Sequence, residues 1–198
     1  MRKHIMCIYM ASGSSKRYGS NKLMESCKGR PLYRQGLTML NEVKQEMEKK
    51  GWQIEICTVT NQEEIFQAGK EVQEAIWNQE AEEGIAASVR IGAEEAKKQE
   101  ADAIAYFVAD QPWLRAESVC RFLEAFSQSE KGIGRVRSEG IAGNPVIFDQ
   151  KYIEELCSLC GDQGGRQVIK RYSEDIMYVE IDQKEQKDID YPYDLIEE

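Results

Sequence analysis

Histidine is almost absent from this 198-residue chain, His4 being the only one. Cys157-x-x-Cys160 is the only Cys-x-x-Cys pair. A closed zinc site needs four ligands, and neither a second pair nor a nearby histidine completes one. The two thiols therefore read as buried together on one face of a helix. No apolar run approaches the ~20 residues that cross a bilayer, so no membrane partner is expected. No signal-peptide pattern precedes the first strand-like segment. Cys7 and Cys57 sit inside apolar runs, where a free thiol behaves as a small hydrophobe, and a reducing, cytoplasmic location follows. Basic residues are outnumbered, 26 against 35 acidic, for a net charge of −9. A field of that sign repels nucleic acids and anionic membranes. A local basic loop can still hold a small anion. There is no internal repeat, low-complexity tract or convincing linker.

What is present is a globular composition, 41% hydrophobic and 31% charged. The length fits one domain over residues 1–198 whose core needs no covalent staple. Short apolar runs at Ile5–Met10, Ile54–Thr60 and Ala103–Ala109 read as buried strands. Ala75–Trp77, Val146–Phe148 and Ile176–Ile181 are weaker strand signals. Between them, Leu32, Leu37, Leu40, Val43 and Met47 recur at helical spacing from Pro31 to Gly51. Further helices are expected at Glu63–Gly69, Gly84–Lys98, Glu117–Phe126, Tyr152–Leu159 and Arg166–Tyr172, with Pro192 opening a short terminal one. This alternation predicts an α/β chain with a mostly parallel sheet and helices on both faces. Gly132–Gly143, glycine-rich and carrying Arg135 and Arg137, reads as a mobile loop over a site. The acidic stretches Glu71–Glu83 and Glu94–Asp102 read as solvated helix faces. Trp52, Trp77 and Trp113 read as packing residues, with Trp113 edging a site.

Three motifs carry chemistry. Ala11-Ser12-Gly13-Ser14-Ser15-Lys16-Arg17-Tyr18-Gly19-Ser20-Asn21-Lys22 follows the first strand directly. Ligands of open α/β sheets bind at the carboxyl ends of strands. Glycine lets backbone amides approach phosphate oxygens, Arg17 can grip a phosphate bidentately, and Lys22 adds a compact charge. The loop is neither a Walker P-loop nor a Gly-x-Gly-x-x-Gly fingerprint. An ordinary flexible turn is the competing reading. Asp110-Gln111-Pro112 ends the clearest strand, where a carboxylate can ligate Mg²⁺, an ion that takes one or two carboxylates plus substrate phosphates. Capping the next helix is the alternative. Asp188-Ile189-Asp190 precedes Pro192, and Asp190 could supply a second metal ligand. Asp194 reads better as an acid at a helix start.

Together with Gly29-Arg30-Pro31-Leu32, Gly84–Gly92, Gly143-Asn144-Pro145-Val146-Ile147-Phe148 and Gly161–Arg166, these motifs resemble the MobA-like NTP transferases in order and over essentially the whole chain. Within that family the chain looks most like the molybdenum cofactor cytidylyltransferases. The resemblance implies a Rossmann-like nucleotidyltransferase fold and Mg²⁺-dependent transfer of CMP from CTP to a molybdopterin-type cofactor, releasing pyrophosphate. It implies that Gly13, Ser15, Arg17 and Lys22 hold the triphosphate and that Ala11 lies at the base or ribose. Ser12, Ser14 and Ser88 join them as nucleotide-binding residues. It assigns Asp110 and Asp190 to the metal, with Arg17, Lys22 and Asp110 as catalytic residues. Asn144, Pro145, Gly164, Gly165 and Arg166 would line the acceptor side, and a client molybdenum hydroxylase is a further implied partner.

The chemistry agrees with the residues. Phosphoryl-type transfer needs positioning and charge neutralisation more than an acid–base group. The chain departs from its relatives at Ser12, at Asn144 where histidine is usual, and at Tyr191 where threonine is usual. Guanylyl transfer to the same cofactor therefore stays open, as does nucleotidyl transfer to a sugar or alditol phosphate. A non-catalytic cofactor-binding chaperone is the reading from another class.

Overall fold

In the computed structural model of the chain, residues 3–13, 18–161 and 164–195 are described. Three expected nucleotide-site residues, Ser14, Ser15 and Arg17, lie outside the described residues. Nine strands are described: β1 His4–Ala11, β2 Ser26–Cys27, β3 Arg30–Pro31, β4 Gln53–Thr60, β5 Glu74–Trp77, β6 Ala103–Val108, β7 Ile133–Ser138, β8 Ile141–Asp149 and β9 Ile176–Glu180. The helices are α1 Leu32–Lys49, α2 Glu63–Val72, α3 Ile85–Lys98, α4 Ala116–Gln128, α5 Ile153–Cys157 and α6 Arg166–Arg171, joined by short 3-10 turns. Seven strands form one sheet in the order β5-β4-β1-β6-β8-β7-β9, and β2 and β3 form a small separate hairpin. β8 runs antiparallel to both neighbours, and the other sheet pairings are parallel.

The alternation along β1 explains why it reads as one apolar run. Ile5, Cys7 and Tyr9 face a core built with α1, α2 and α4. Met6 and Ile8 face a second core built with α3, α5 and α6. A strand covered on both faces has no polar side to show. Each large side chain fully buried in this way contributes about 1.5–3 kcal/mol. Close packing also dictates Gly92 of α3, where a Cβ would stand 2.7 Å from Ile8 Cγ1. The predicted α/β architecture, with helices on both faces of a mostly parallel sheet, is the one observed.

Several local expectations are corrected. Gly132–Gly143 is not a mobile loop but the core of a β-hairpin, β7 and β8, within the sheet. Glu139 and Gly140, both at positive φ, make its two-residue turn. Gly134 serves packing, since a Cβ there would meet Ile147 Cγ2 at 2.7 Å and Phe126 Cδ2 at 2.9 Å. The Cys-x-x-Cys pair is not buried together: Cys157 ends α5 half-buried, and Cys160 lies beyond the helix, exposed. Glu71–Glu83 includes β5 rather than a single helix face, and Glu95 of the second acidic stretch is buried. Trp52 and Trp113 are packed as expected, but Trp77 is exposed. Pro31 lies in β3 immediately before α1, not in its first turn.

Candidate active site

The chain leaves β1, builds β4 and β5 on one side, then crosses back to place β6 on the other side of β1. Such a reversal opens a crevice at the carboxyl ends of the two strands, where open α/β sheets take ligands. Ala11 ends β1 there, and Asp110 follows β6. Thr60 Oγ1 donates to Ala11 O at 2.9 Å and Ser12 Oγ to Val59 O at 3.2 Å, tying the start of the basic loop to β4.

At the far end of the loop, Lys22 opens a 3-10 turn anchored by buried Leu23. Its Nζ donates to Asp110 Oδ2 at 2.7 Å and to Ile189 O at 2.8 Å, and stands 3.6 Å from Asp190 Oδ1. An ammonium group thus sits between the two carboxylates that the sequence picked out. The Ile189 amide donates back to Asp110 O at 2.8 Å, so the segment that carries the later aspartates is stitched to the end of β6.

Asp188 was not singled out by its residue type, yet it is drawn into the same group. Gln111 Nε2 donates to Asp188 Oδ1 at 2.9 Å and to Gln186 O at 3.2 Å. Burial, then the negative charges of Asp110 and Asp190, push the Asp188 carboxyl up to about 6, against the Gln111 bond and Lys22. Asp194 is an acid at a helix start, as expected: it lies in the first turn of the last 3-10 helix and reaches back, its Oδ2 accepting from the amides of Asp190 at 3.0 Å and Tyr191 at 2.8 Å. Glu185 anchors the segment from below. Buried, it accepts from Arg115 N at 3.0 Å, Arg115 Nη2 at 2.6 Å and Ser118 Oγ at 3.0 Å.

Two adjoining cavities flank this cluster. The smaller, about 310 Å³, is lined by Ala11, Ser12, Gly13, Lys22, Ser88 and Asp110, among others. Ser88 Oγ accepts from Asn78 Nδ2 at 3.1 Å; Asn78, buried between β5 and α3, carried no sequence signal. Helix α3 opens onto this cavity at Gly84 and Ile85 with no side-chain cap on its first amides, the polarity that favours an anion. The larger cavity, about 1080 Å³, is lined by Asn144, Gly165, Arg166, Asp188, Trp113 and Arg135, among others. Pro145 and Gly164 are not among its lining residues; Gly164 instead backs Ile85, whose Cγ2 a Cβ there would meet at 2.9 Å. Met10 and Ile85 line both cavities. Asp190 lines neither and joins the site through Lys22.

Oxygen-only donors suit a hard divalent cation, and the Lys22 ammonium already occupies a cation's place between Asp110 and Asp190. Among the described residues no group of three or more His, Cys, Asp or Glu converges as a metal site. A metal here would therefore rest on two carboxylates and on substrate oxygens. Among the described residues no helix is long and apolar enough to cross a membrane.

Lys22 between two carboxylates and two adjoining cavities stand at the strand-order reversal, where open α/β sheets take ligands. The MobA-like NTP transferase domain model matches residues 7–176, and the chain belongs to that family. Solved structures share the fold at low identity. Rv0371c from Mycobacterium tuberculosis H37Rv superposes with a TM-score of 0.80 at 18% identity, covering 99% of this chain and 96% of that one. The manganese complex of Rv0371c superposes at 0.71 with 15% identity over 90% and 89% of the two chains. The 4-diphosphocytidyl-2C-methyl-D-erythritol synthase from Anaerococcus prevotii DSM 20548 superposes at 0.73 with 15% identity over 98% and 93%. No curated protein matches the chain by sequence.

Proposed function

We propose that this nucleotidyltransferase transfers CMP from CTP to a molybdopterin-type cofactor and releases pyrophosphate, with Mg²⁺ held by Asp110 and Asp190. The observation that carries the reading is Lys22 Nζ standing between Asp110 and Asp190, with Lys22 and Asp110 on the wall of the smaller cavity, which meets the larger one at Met10 and Ile85. The smaller cavity takes the nucleotide. Ser12 and Ser88 face its base and ribose, Gly13 lies at the phosphates, and Lys22 turns from the carboxylates to the triphosphate. The larger cavity takes the acceptor, with Asn144, Gly165 and Arg166 against it.

Reaction then needs little acid–base chemistry. The acceptor phosphate oxygen attacks the α-phosphorus of CTP, and the bond from that phosphorus to the pyrophosphate oxygen breaks. The chain holds the partners in line and neutralises charge. Lys22 meets charge that grows on the leaving group, a role that typically contributes ~10²–10³ in rate. Bound at Asp110 and Asp190, the metal supplies Lewis-acid stabilisation of phosphoryl oxygens. Asp188, held by Gln111, keeps the carboxylate-bearing segment against the end of β6. The cytidyl product named for the Anaerococcus synthase supports CTP as donor.

The test is pyrophosphate release from each of the four NTPs with a molybdopterin-type cofactor, a sugar phosphate and an alditol phosphate. CTP with the molybdopterin-type cofactor is expected to be fastest. Asp110→Ala is expected to abolish release while the thermal unfolding profile stays cooperative. Full turnover in that variant removes Asp110 from the metal site, and release with GTP alone replaces the donor.

A further inference from the structure

Arg135 rises from β7 in register with Val146 of β8 and Tyr178 of β9. Alternation fixes the face on which it stands. Its neighbour Gly134 packs under Phe126 of α4, so Arg135 stands on the opposite face, with Ile133, Val146 and Phe148. There it lines the larger cavity. Its Nε is buried and has no hydrogen-bond partner among the described residues. A buried charged donor left without an acceptor is unfavourable unless a ligand completes it. Burial lowers the pKa of the guanidinium; Tyr178 opposes that, and Arg166, a second guanidinium on the same cavity, adds to it. Two neighbouring guanidinium groups favour a negative charge between them. The carboxylates that line this cavity are already engaged: Asp188 by Gln111, and Asp194 by the amides of 190 and 191.

We propose that Arg135, with Arg166 beside it, binds an anionic group at the end of the acceptor remote from its reacting phosphate. The inference rests on the reading that the larger cavity holds the acceptor. Arg135 is level with Val146, which pairs with Tyr106 of β6. Asp110 lies four residues beyond Tyr106 and two strands away. At about 3.3 Å per residue and about 4.8 Å per strand, the two Cα positions stand on the order of 15 Å apart. No single phosphate touches both ends. The acceptor is therefore elongated. It has a phosphate at the Asp110 end, a body packed over Tyr106, Val146, Phe148 and Ile169, and a second anionic group gripped by the Arg135 fork.

Two variants test this, Arg135→Met and Arg135→Lys. In pyrophosphate release with CTP and the molybdopterin-type cofactor, Arg135→Met is expected to raise the acceptor KM at least tenfold. Arg135→Lys, which keeps the charge and loses the fork, is expected to raise it less. The dissociation constant for Mg-CTP, measured by calorimetry, is expected to stay unchanged in both. An acceptor KM within twofold of wild type in both folded variants overturns the proposal. If wild-type protein releases no pyrophosphate with that cofactor, the acceptor assignment fails by itself. Arg135 is then judged by ¹⁵N NMR of arginine side chains during titration with inorganic phosphate. A saturable shift of the Arg135 Nε–H signal, assigned by its loss in Arg135→Lys, sustains an anion site; no saturable shift overturns it.

Discussion

Lys22→Met separates the two duties assigned to that lysine, because they change in opposite directions. Nζ donates to Asp110 Oδ2 at 2.7 Å and to Ile189 O at 2.8 Å. The Lys22 side chain is 12% exposed and that of Asp110 is 24% exposed, so solvent screens the pair less than a surface contact. Asp190, at 3.6 Å and 36% exposed, adds little. A divalent ion that takes Asp110 and Asp190 must displace the ammonium. Losing one charge-assisted hydrogen bond costs about 1.5–3 kcal/mol. At about 1.4 kcal/mol per tenfold, that is a ~10–100-fold handicap on the metal. Methionine matches the length of the stem and removes the charge. Mn²⁺ titrated by electron paramagnetic resonance without nucleotide is therefore expected to bind Lys22→Met roughly 10–100-fold more tightly than wild type, and Asp110→Asn is expected to abolish that gain. Turnover is expected to fall by ~10²–10³, because a charge facing the leaving group is gone. A general folding defect would weaken both properties. Mn²⁺ affinity equal to or below that of wild type refutes the placement of the metal on these carboxylates.

Glu185→Ala is expected to destabilise the chain by up to about 6 kcal/mol, because the part-buried Arg115 amide and the buried Ser118 hydroxyl lose their acceptor at about 1–3 kcal/mol each; an unchanged urea midpoint refutes this. Asp175 gives a pH signature. Burial would raise its pKa, but hydrogen bonds from Lys151 and Tyr152 carry it down to about 2, below the ordinary 3.8. A depressed carboxylate stabilises the fold above the unfolded value and loses that contribution as pH falls through the folded one. Between pH ~4 and ~2 wild type is thus expected to lose on the order of 1–2 kcal/mol more than Asp175→Asn in denaturant titrations.

The sheet was legible because its central strands are covered on both faces and carry unbroken apolar runs. Ile54–Thr60 and Ala103–Ala109 needed no more than that. The hairpin at Gly132–Gly143 was not legible. Its glycines and arginines resemble a loop, and only the contact of Gly134 with Phe126 and Ile147 shows what the glycine is for. Lys22 and Asp110 were readable as residue types after strands, but their contact spans 88 positions and that of Lys22 with Ile189 spans 167. Asp188 and Asp190 are two residues apart in the same motif. Nothing in the spacing says that Asp188 turns to Gln111 while Asp190 turns to Lys22. Asn78, Glu185 and Arg135 gave no motif, since their importance lies in what each does or does not bond after burial.

The division of the crevice carries its own consequence. Met10 and Ile85 are the walls shared by the two cavities, while Ser88 lines only the smaller and Asn144 only the larger. If donor and acceptor occupy separate cavities that meet at Met10 and Ile85, single substitutions should resolve the two substrates kinetically. Removing one neutral hydrogen bond costs about 0.5–1.5 kcal/mol, or ~2–10-fold in affinity. Ser88→Ala is expected to raise the nucleotide KM by that factor and to leave the acceptor KM within twofold, and Asn144→Ala is expected to do the reverse. Steady-state pyrophosphate release with each substrate varied in turn measures both. Two variants that raise the same KM would mean one shared binding space. The joint at Met10 and Ile85 would then no longer be where the attacking oxygen meets the α-phosphorus.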